Sequence, residues 1–468
     1  MGFCDEYLTV RGGHLHLDGV DLAELAGRVD TPFYLFSERR IRDRAVAVRH
    51  AFSRRSPASR VFFASKACSN LWVLGVVRDA GLDVEVNSGG EFEKAVRAGF
   101  TPDRIVFNGV AKTRDEIAAA VRLGVRALLV DSLCELERTG SVAADLGRVA
   151  TVAPRVDVHV PALTHPGLET AFGGKAGIDR DDAVEAFRRA AADPWLDPAG
   201  LHLHVGSQVT SLAPYAQAVE TALDLVEEVE AAAGLRLRFL DAGGGFAVPY
   251  DDAAGRSPAD DGESRPPAPG AHYFACDLTF DDYAEAVCAP LRRRRPDLEL
   301  FVEPGRSVTA PAAVLVSRVE SEKTKRARDA SGRVCGEVRW LTVDAGFNTL
   351  LEQTTYAWYF RSRVAGRASG PHDAPFRLAG PLCDGGDVFM GDDGTPFRLL
   401  PAATTVGDAI VFRDAGAYTL EMMNDYNARP RAAAYAVTEA GEVVEVRRRE
   451  TADDLVRLDR PRVPEEGA

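Results

Sequence analysis

No apolar run in the chain approaches the ~18 residues that span a bilayer. Its start, Met1-Gly2-Phe3-Cys4-Asp5-Glu6, lacks a basic stretch followed by an apolar core, so no secretion signal is expected. Positive charge is not in excess: the formal net charge is −14, which disfavours nucleic acid or an anionic membrane as partner but leaves room for local phosphate pockets. Cysteine is sparse and scattered, 7 residues in 468, with neither metal-ligand nor disulfide spacing. A reducing cytoplasm is therefore the expected location, with no metal site. No internal repeat is evident. A 46% hydrophobic, 27% charged chain of this length reads as a soluble globular protein of two domains.

Residues 1–35 read as short strands and one brief helix that contribute to the second domain. From 36 to 306 short apolar strands alternate with helical stretches rich in Ala, Glu and Arg. The strands are expected at Val61–Ala64, Val84–Val86, Ile105–Phe107, Ala127–Val130, Val156–Val160, Leu201–Val205, Phe239–Asp241 and Leu300–Val302. Such an alternation over ~250 residues has the count and size of a parallel (β/α)8 barrel, in which chemistry sits at the C-terminal strand ends. The polar, proline-rich stretch after Tyr250 breaks the rhythm and is expected to be a loop at the barrel mouth. From 307 to 468 alternating segments, among them Ala409–Phe412 and Ala433–Val437, indicate an antiparallel β domain.

Unusual residues fall at the strand ends. Val61-Phe62-Phe63-Ala64 leads into Ser65-Lys66-Ala67. A lysine at the mouth of a buried strand is costly unless paired, and partial desolvation is expected to depress its pKa and prepare it to condense with a carbonyl as a Schiff base. His202 and His204 share one face by the strand period, directed into the barrel, and an imidazole there can stack on a planar ring. Gly243-Gly244-Gly245 after the seventh strand can close backbone N–H groups on a phosphate. Glu303 and Arg306, in Glu303-Pro304-Gly305-Arg306, suit a ligand with a basic ring nitrogen and an anionic group. Lysine, histidine, glycine cradle and carboxylate together fit pyridoxal 5'-phosphate, with Glu303 holding the pyridine nitrogen protonated.

The motifs then become recognisable. They are Phe63-Ala64-Ser65-Lys66-Ala67, Val86-Asn87-Ser88-Gly89-Gly90-Glu91, His202 through Gln208, Gly243-Gly244-Gly245 and Glu303-Pro304-Gly305-Arg306. Later in the chain come Cys383-Asp384-Gly385-Gly386-Asp387, Gly416-Ala417-Tyr418 and Tyr426-Asn427-Ala428-Arg429-Pro430. Over nearly its whole length the chain resembles the fold-type III pyridoxal-phosphate decarboxylases, the family of diaminopimelate and ornithine decarboxylases. The resemblance implies that Lys66 carries the cofactor, His204 stacks on its ring and Arg155 lies near its hydroxyl. It places Ser207, Gly243, Gly244, Gly245, Gly305, Arg306 and Tyr418 around the phosphate and substrate, with Glu85 also in the cofactor site. It further implies a homodimer in which Cys383 reaches the site from the partner subunit and returns a proton after carbon dioxide leaves.

The substrate end departs from that pattern. Where the diaminopimelate decarboxylases carry an arginine eight residues after the aspartate of Asp344-Ala345-Gly346, this chain has Glu352, while Tyr356 keeps its place. The distal-amine contact is the shorter Asp384, and Glu85 replaces an aspartate. A carboxylate in the clamp repels a distal carboxylate, so the expected substrate is an amino acid other than meso-diaminopimelate, such as a siderophore or specialised-metabolite precursor. A meso-diaminopimelate decarboxylase of lysine biosynthesis and an amino-acid racemase are the alternatives.

Overall fold

In the computed structural model the described residues are 3–162, 164–169, 173–250, 274–391 and 394–460. Of the loop expected at residues 250–271, all but Tyr250 lies outside them. Nine parallel strand segments form one sheet, in the order Leu196–Pro198, Ala150–Pro154, Ala127–Val130, Ile105–Phe107, Asp83–Val86, Arg60–Ala64, Glu299–Val302, Phe239–Asp241 and Gly200–His202. The two ends of this path are consecutive in sequence, separated by Ala199 alone. The sixth strand is thus split, pairing through one half with Ala150–Pro154 and through the other with Phe239–Asp241. A bridge between Arg155 and His202 joins the ends, giving the expected (β/α)8 barrel.

One strand is displaced from its expected place. The fifth is Ala150–Pro154 rather than Val156–Val160, and Val156–Asp157 pairs instead with Ile178–Asp179. Both runs are apolar, so composition does not choose between them. The earlier run brings Arg155 to the barrel rim level with His202, as ring closure requires.

Inside the barrel Phe62, Phe239 and Phe301 pack with Val106, Leu129, Ala153 and Ala199. The Phe239 and Phe301 rings stack at 4.3 Å, and Phe62 meets Phe301 at 4.8 Å. Alternation along the strands dictates what lies above this plug. Two residues past Ala153, Phe239 and Phe301 come Arg155, Asp241 and Glu303, all buried. The aromatic layer closes the barrel and the next layer is polar.

The second sheet is built around Phe33–Ser37, which pairs antiparallel with Ala313–Arg328 and parallel with Ala433–Val437. The chain therefore enters the barrel after this strand, and the boundary expected at residue 36 falls inside it. The sheet is mostly antiparallel, with a second parallel pairing between Val334–Val343 and Ala374–Ala379. Glu421 ties it to the barrel mouth, accepting from the Ser69 N–H at 2.8 Å and the Ser69 hydroxyl at 2.7 Å.

Candidate active site

Lys66 lies in a 3-10 turn, Ser65–Ala67, directly after its strand. Glu91 shapes this turn: its Oε2 accepts from the Ser65 hydroxyl at 2.7 Å and from the Asn87 N–H at 2.8 Å. The Lys66 Nζ is 3.7 Å from Glu85 Oε1, with the lysine side chain 36% exposed and the glutamate fully buried. Burial pulls the lysine pKa down, but the negative charge of Glu85, Tyr418 and Glu303 outweighs it, and the ammonium is held above its ordinary value. The expected depression is thus reversed: the sequence pattern shows the desolvation but not the carboxylates that converge on it.

Glu85 is pushed up to about 8, by burial first and then by Glu303 and Glu91, against the pull of Lys66. Neither of its carboxyl oxygens has a hydrogen-bond partner among the described residues, and the same holds for Glu303 Oε1. Glu303 Oε2 lies 3.4 Å from His202 Nε2. His204 Nδ1 accepts from the Gly244 N–H at 3.2 Å, which leaves the ring proton on Nε2. Burial, with Lys66 and Arg155 adding, keeps both imidazoles neutral, well below the usual histidine range.

The three glycines let the backbone close in where a side chain would not fit. Gly243 and Gly245 have φ of +65° and +90°, and a Cβ on Gly244 would overlap the Glu303 carbonyl. A Cβ on Gly305 would come within 2.9 Å of Ala67 and 3.1 Å of Ala64. Ser207 is half-buried beside them, its N–H donating to the Leu168 carbonyl at 3.0 Å and its own carbonyl accepting from Thr164.

Arg306 is buried and held by a bidentate pair, Nη1 to Glu352 Oε2 at 3.0 Å and Nη2 to Glu352 Oε1 at 2.7 Å. Nη1 also donates to the Tyr250 hydroxyl at 3.1 Å. The guanidinium sits 4.5 Å from the ring centroids of both Trp358 and Tyr418. Burial raises the Glu352 carboxyl even though Arg306 opposes that shift. Tyr418 comes from the second domain on a left-handed backbone (φ 55°) and is pinned by its N–H to the Ala67 carbonyl at 2.8 Å.

Lys66, Glu85, Arg155, His204, Glu303 and Tyr418 converge at the barrel mouth, and the glycine turn joins them through His204. Tyr356 stands further out, edge-on to His165 at 5.6 Å. Cys383 and Asp384 lie on an exposed loop, where the Cys383 N–H donates to Asn427 Oδ1 at 2.7 Å. The Cys383 thiol is free and exposed. Tyr250, Trp358 and Asp241 join the site without having been singled out in sequence. Gln208 was the available signal for Tyr250, since its amide clips both the N–H and the carbonyl of Val248 and so delivers the tyrosine two residues later.

The residues present fit pyridoxal phosphate. Carboxylate oxygens with no donor of their own face the lysine, a neutral imidazole lies beside them, and a bare glycine backbone stands where an anion is to be cradled. With the barrel and β domain, they define a fold-type III pyridoxal-phosphate enzyme.

Residues 38–310 match the family described as pyridoxal-dependent decarboxylase, pyridoxal binding domain, and the chain belongs to that family. The diaminopimelate decarboxylase of Pseudomonas aeruginosa is 37% identical over 449 residues, covering 96% of this chain and 97% of that protein. The crystal structure of diaminopimelate decarboxylase from Helicobacter pylori complexed with L-lysine superposes with a TM-score of 0.78 at 31% identity, covering 93% of this chain and 98% of that one. The corresponding structure from M. jannaschii in co-complex with L-lysine gives 0.82 at 29% identity, covering 98% of each chain. The chain is accordingly a pyridoxal-phosphate-dependent carboxy-lyase of amino acids. No described helix is long and apolar enough to cross a membrane.

Proposed function

We propose that this enzyme decarboxylates an amino acid whose distal end is neutral or cationic, and not meso-diaminopimelate. The observation that carries this is the bidentate Arg306–Glu352 pair, which neutralises the guanidinium and occupies both Nη atoms, leaving only the buried Nε without an acceptor among the described residues. A second carboxylate beside Glu352 in a buried site meets a like charge, at a cost of several kcal/mol.

Bound pyridoxal phosphate supplies a carbonyl for the substrate amine and an electron sink for the carbon that loses carbon dioxide. Lys66 is the residue that would hold it, and its ammonium, 3.7 Å from Glu85, must give up a proton to do so. His204 supports one ring face as a neutral imidazole, Glu303 meets the ring nitrogen, and Arg155 lies toward the ring hydroxyl. The glycine turn and Ser207 receive the phosphate. Tyr418, Tyr250 and Trp358 exclude water around Arg306, and Tyr356 borders the entrance.

The exposed Cys383 and Asp384 complete the site of a second copy of the chain, in a cytoplasmic homodimer. From there the Cys383 thiol returns a proton to the reacting carbon, and Asp384 contacts a distal amine. Support for this lies in an accessible loop held in shape from within: Asp387 accepts from the Leu382 and Phe347 N–H groups, each at 2.9 Å.

Carbon dioxide release measured over a panel of amino acids, with product mass recorded, tests the reading. Turnover of neutral- or cationic-ended substrates to amines is expected. Efficient release from meso-diaminopimelate overturns the substrate assignment, and recovery of an enantiomer without carbon dioxide overturns the decarboxylase.

A further inference from the structure

Two neighbouring strands end in His202 and Asp241, and Glu303 directly follows the third, Glu299–Val302; all three residues are buried. His202 stands opposite Asp241 in register. One ring nitrogen of His202 and one carboxyl oxygen from each of the other two lie within 4.8 Å of one another. Asp241 Oδ1 is committed, accepting from the Gly243 N–H at 3.0 Å. Asp241 Oδ2 and Glu303 Oε1 have no donor among the described residues, although an oxygen of each carboxyl lies within 4.8 Å of the other.

Two ionised carboxylates are acceptors only and cannot bond without a proton between them. Fully buried and adjacent, they cannot both ionise at ordinary cost. We propose that Asp241 is a positioning residue: as a neutral acid it donates from Oδ2 to Glu303 Oε1, fixing Glu303 as the carboxylate presented to the cofactor's ring nitrogen. Its Oδ1 meanwhile holds the first glycine of the phosphate turn. One side chain thereby sets the spacing between the groups that meet the two ends of the cofactor. This rests on the assignment of Glu303 to the ring nitrogen.

The surrounding charges agree with placing the proton on Asp241 rather than Glu303. Burial raises Asp241 well above the carboxylate range, and Glu303 and Glu85 add to it. Burial raises Glu303 too, but Lys66, Arg155 and the hydrogen bond from Asp241 all pull it back. His202 is neutral and adds no competing charge.

Asp241→Asn keeps the shape, the acceptor for Gly243 and a donor toward Glu303, but cannot ionise. Asp241→Val removes both bonds. Infrared titration of the holoenzyme should show a carboxylic-acid C=O band near neutrality that is missing from D241N. D241N should bind cofactor within about threefold of the parent, whereas D241V should bind at least about tenfold more weakly. Any alkaline change in cofactor absorbance that follows loss of the shared carboxyl proton should be absent from D241N. Thermal melting of D241N identifies any loss of fold, and the infrared and pH readings of the parent stand without it. A D241N-minus-parent difference spectrum with no lost acid band, or equal weakening in both variants, overturns the proposal. So does parent-like binding by D241V. If Glu303→Gln leaves affinity and spectrum unchanged, the ring-nitrogen assignment fails while the infrared result still reports the shared proton.

Discussion

The two ends of the barrel mouth handle buried charge in opposite ways. Around Lys66, Glu85 and Glu303 carry oxygens with no donor of their own, and their pKa values are raised accordingly. Around Arg306 the charge is matched by two bonds that its Nη atoms donate to Glu352, with only Nε unmet, and is enclosed by Tyr250, Trp358 and Tyr418. Unmet polarity in a buried site is costly and marks where a ligand supplies the missing partner. Met polarity marks what a ligand does not need to supply. The first end reads as a cofactor site, and the second as a filter against anions.

The comparison breaks most severely at Lys66. Lys66→Ala removes the amine 3.7 Å from Glu85, so carbon dioxide release should fall at least about a thousandfold. The absorbance band of the lysine-bound cofactor near ~410–430 nm should vanish with it. A band that survives in the variant moves the cofactor to another residue.

Next in size is the contribution of the exposed loop. Cys383→Ala should lower turnover by about a hundredfold or more, as expected for a lost proton donor. Under the proposed site built from two chains, co-refolding the K66A and C383A proteins should restore about a quarter of the parent activity by assembling one intact site per mixed dimer. Activity no higher than that of the inactive parents would assign Cys383 to its own chain's chemistry or to none.

The filter is tested by Glu352→Gln. The neutral amide leaves Arg306 buried without its counter-charge, so melting temperature should fall, because breaking one side of a buried pair is destabilising. The ratio of kcat/KM for an anionic-ended over a neutral-ended amino acid, which is independent of the fraction folded, should rise about tenfold or more. An unchanged ratio means that the distal end of the substrate does not meet Arg306.

The cofactor end of this contrast was legible in sequence because strand alternation constrains it. Once Phe239 and Phe301 fall inside, Asp241 and Glu303 must follow two residues later, and Lys66 and the glycines sit at fixed strand ends. The substrate end was legible only as a reversed charge at position 352. Its closure needed Tyr250 and Trp358, which reach Arg306 from a segment beyond the seventh strand and from the second domain, at separations no periodicity encodes. The shift of the fifth strand to Ala150–Pro154 escaped for a similar reason, since ring closure rather than local composition selects it. The carboxylates that raise Lys66 lie on other strands, which is why a depressed amine was expected from its own segment.

The mildest expected effect concerns Glu85 in the cofactor-free protein. Its folded pKa of about 8 stands above the ~4.3 of an exposed glutamate, so folding favours its neutral form. Stability from this group is therefore complete below the ordinary carboxylate range and is lost as pH rises through about 8. Lys66, raised above its ordinary value, stays charged across that window and does not bend the curve. The melting temperature of the cofactor-free protein should decline from weakly acidic to weakly alkaline pH, and Glu85→Gln should flatten that decline. Glu352 gives the control: its carboxyl is also raised by burial but already holds two bonds from Arg306, so adding cofactor should shrink the slope assigned to Glu85 and leave any slope from Glu352 in place. If cofactor leaves the E85Q-sensitive slope untouched, Glu85 keeps its unmet oxygens in the loaded enzyme, and the contrast between an open and a closed end no longer locates the cofactor.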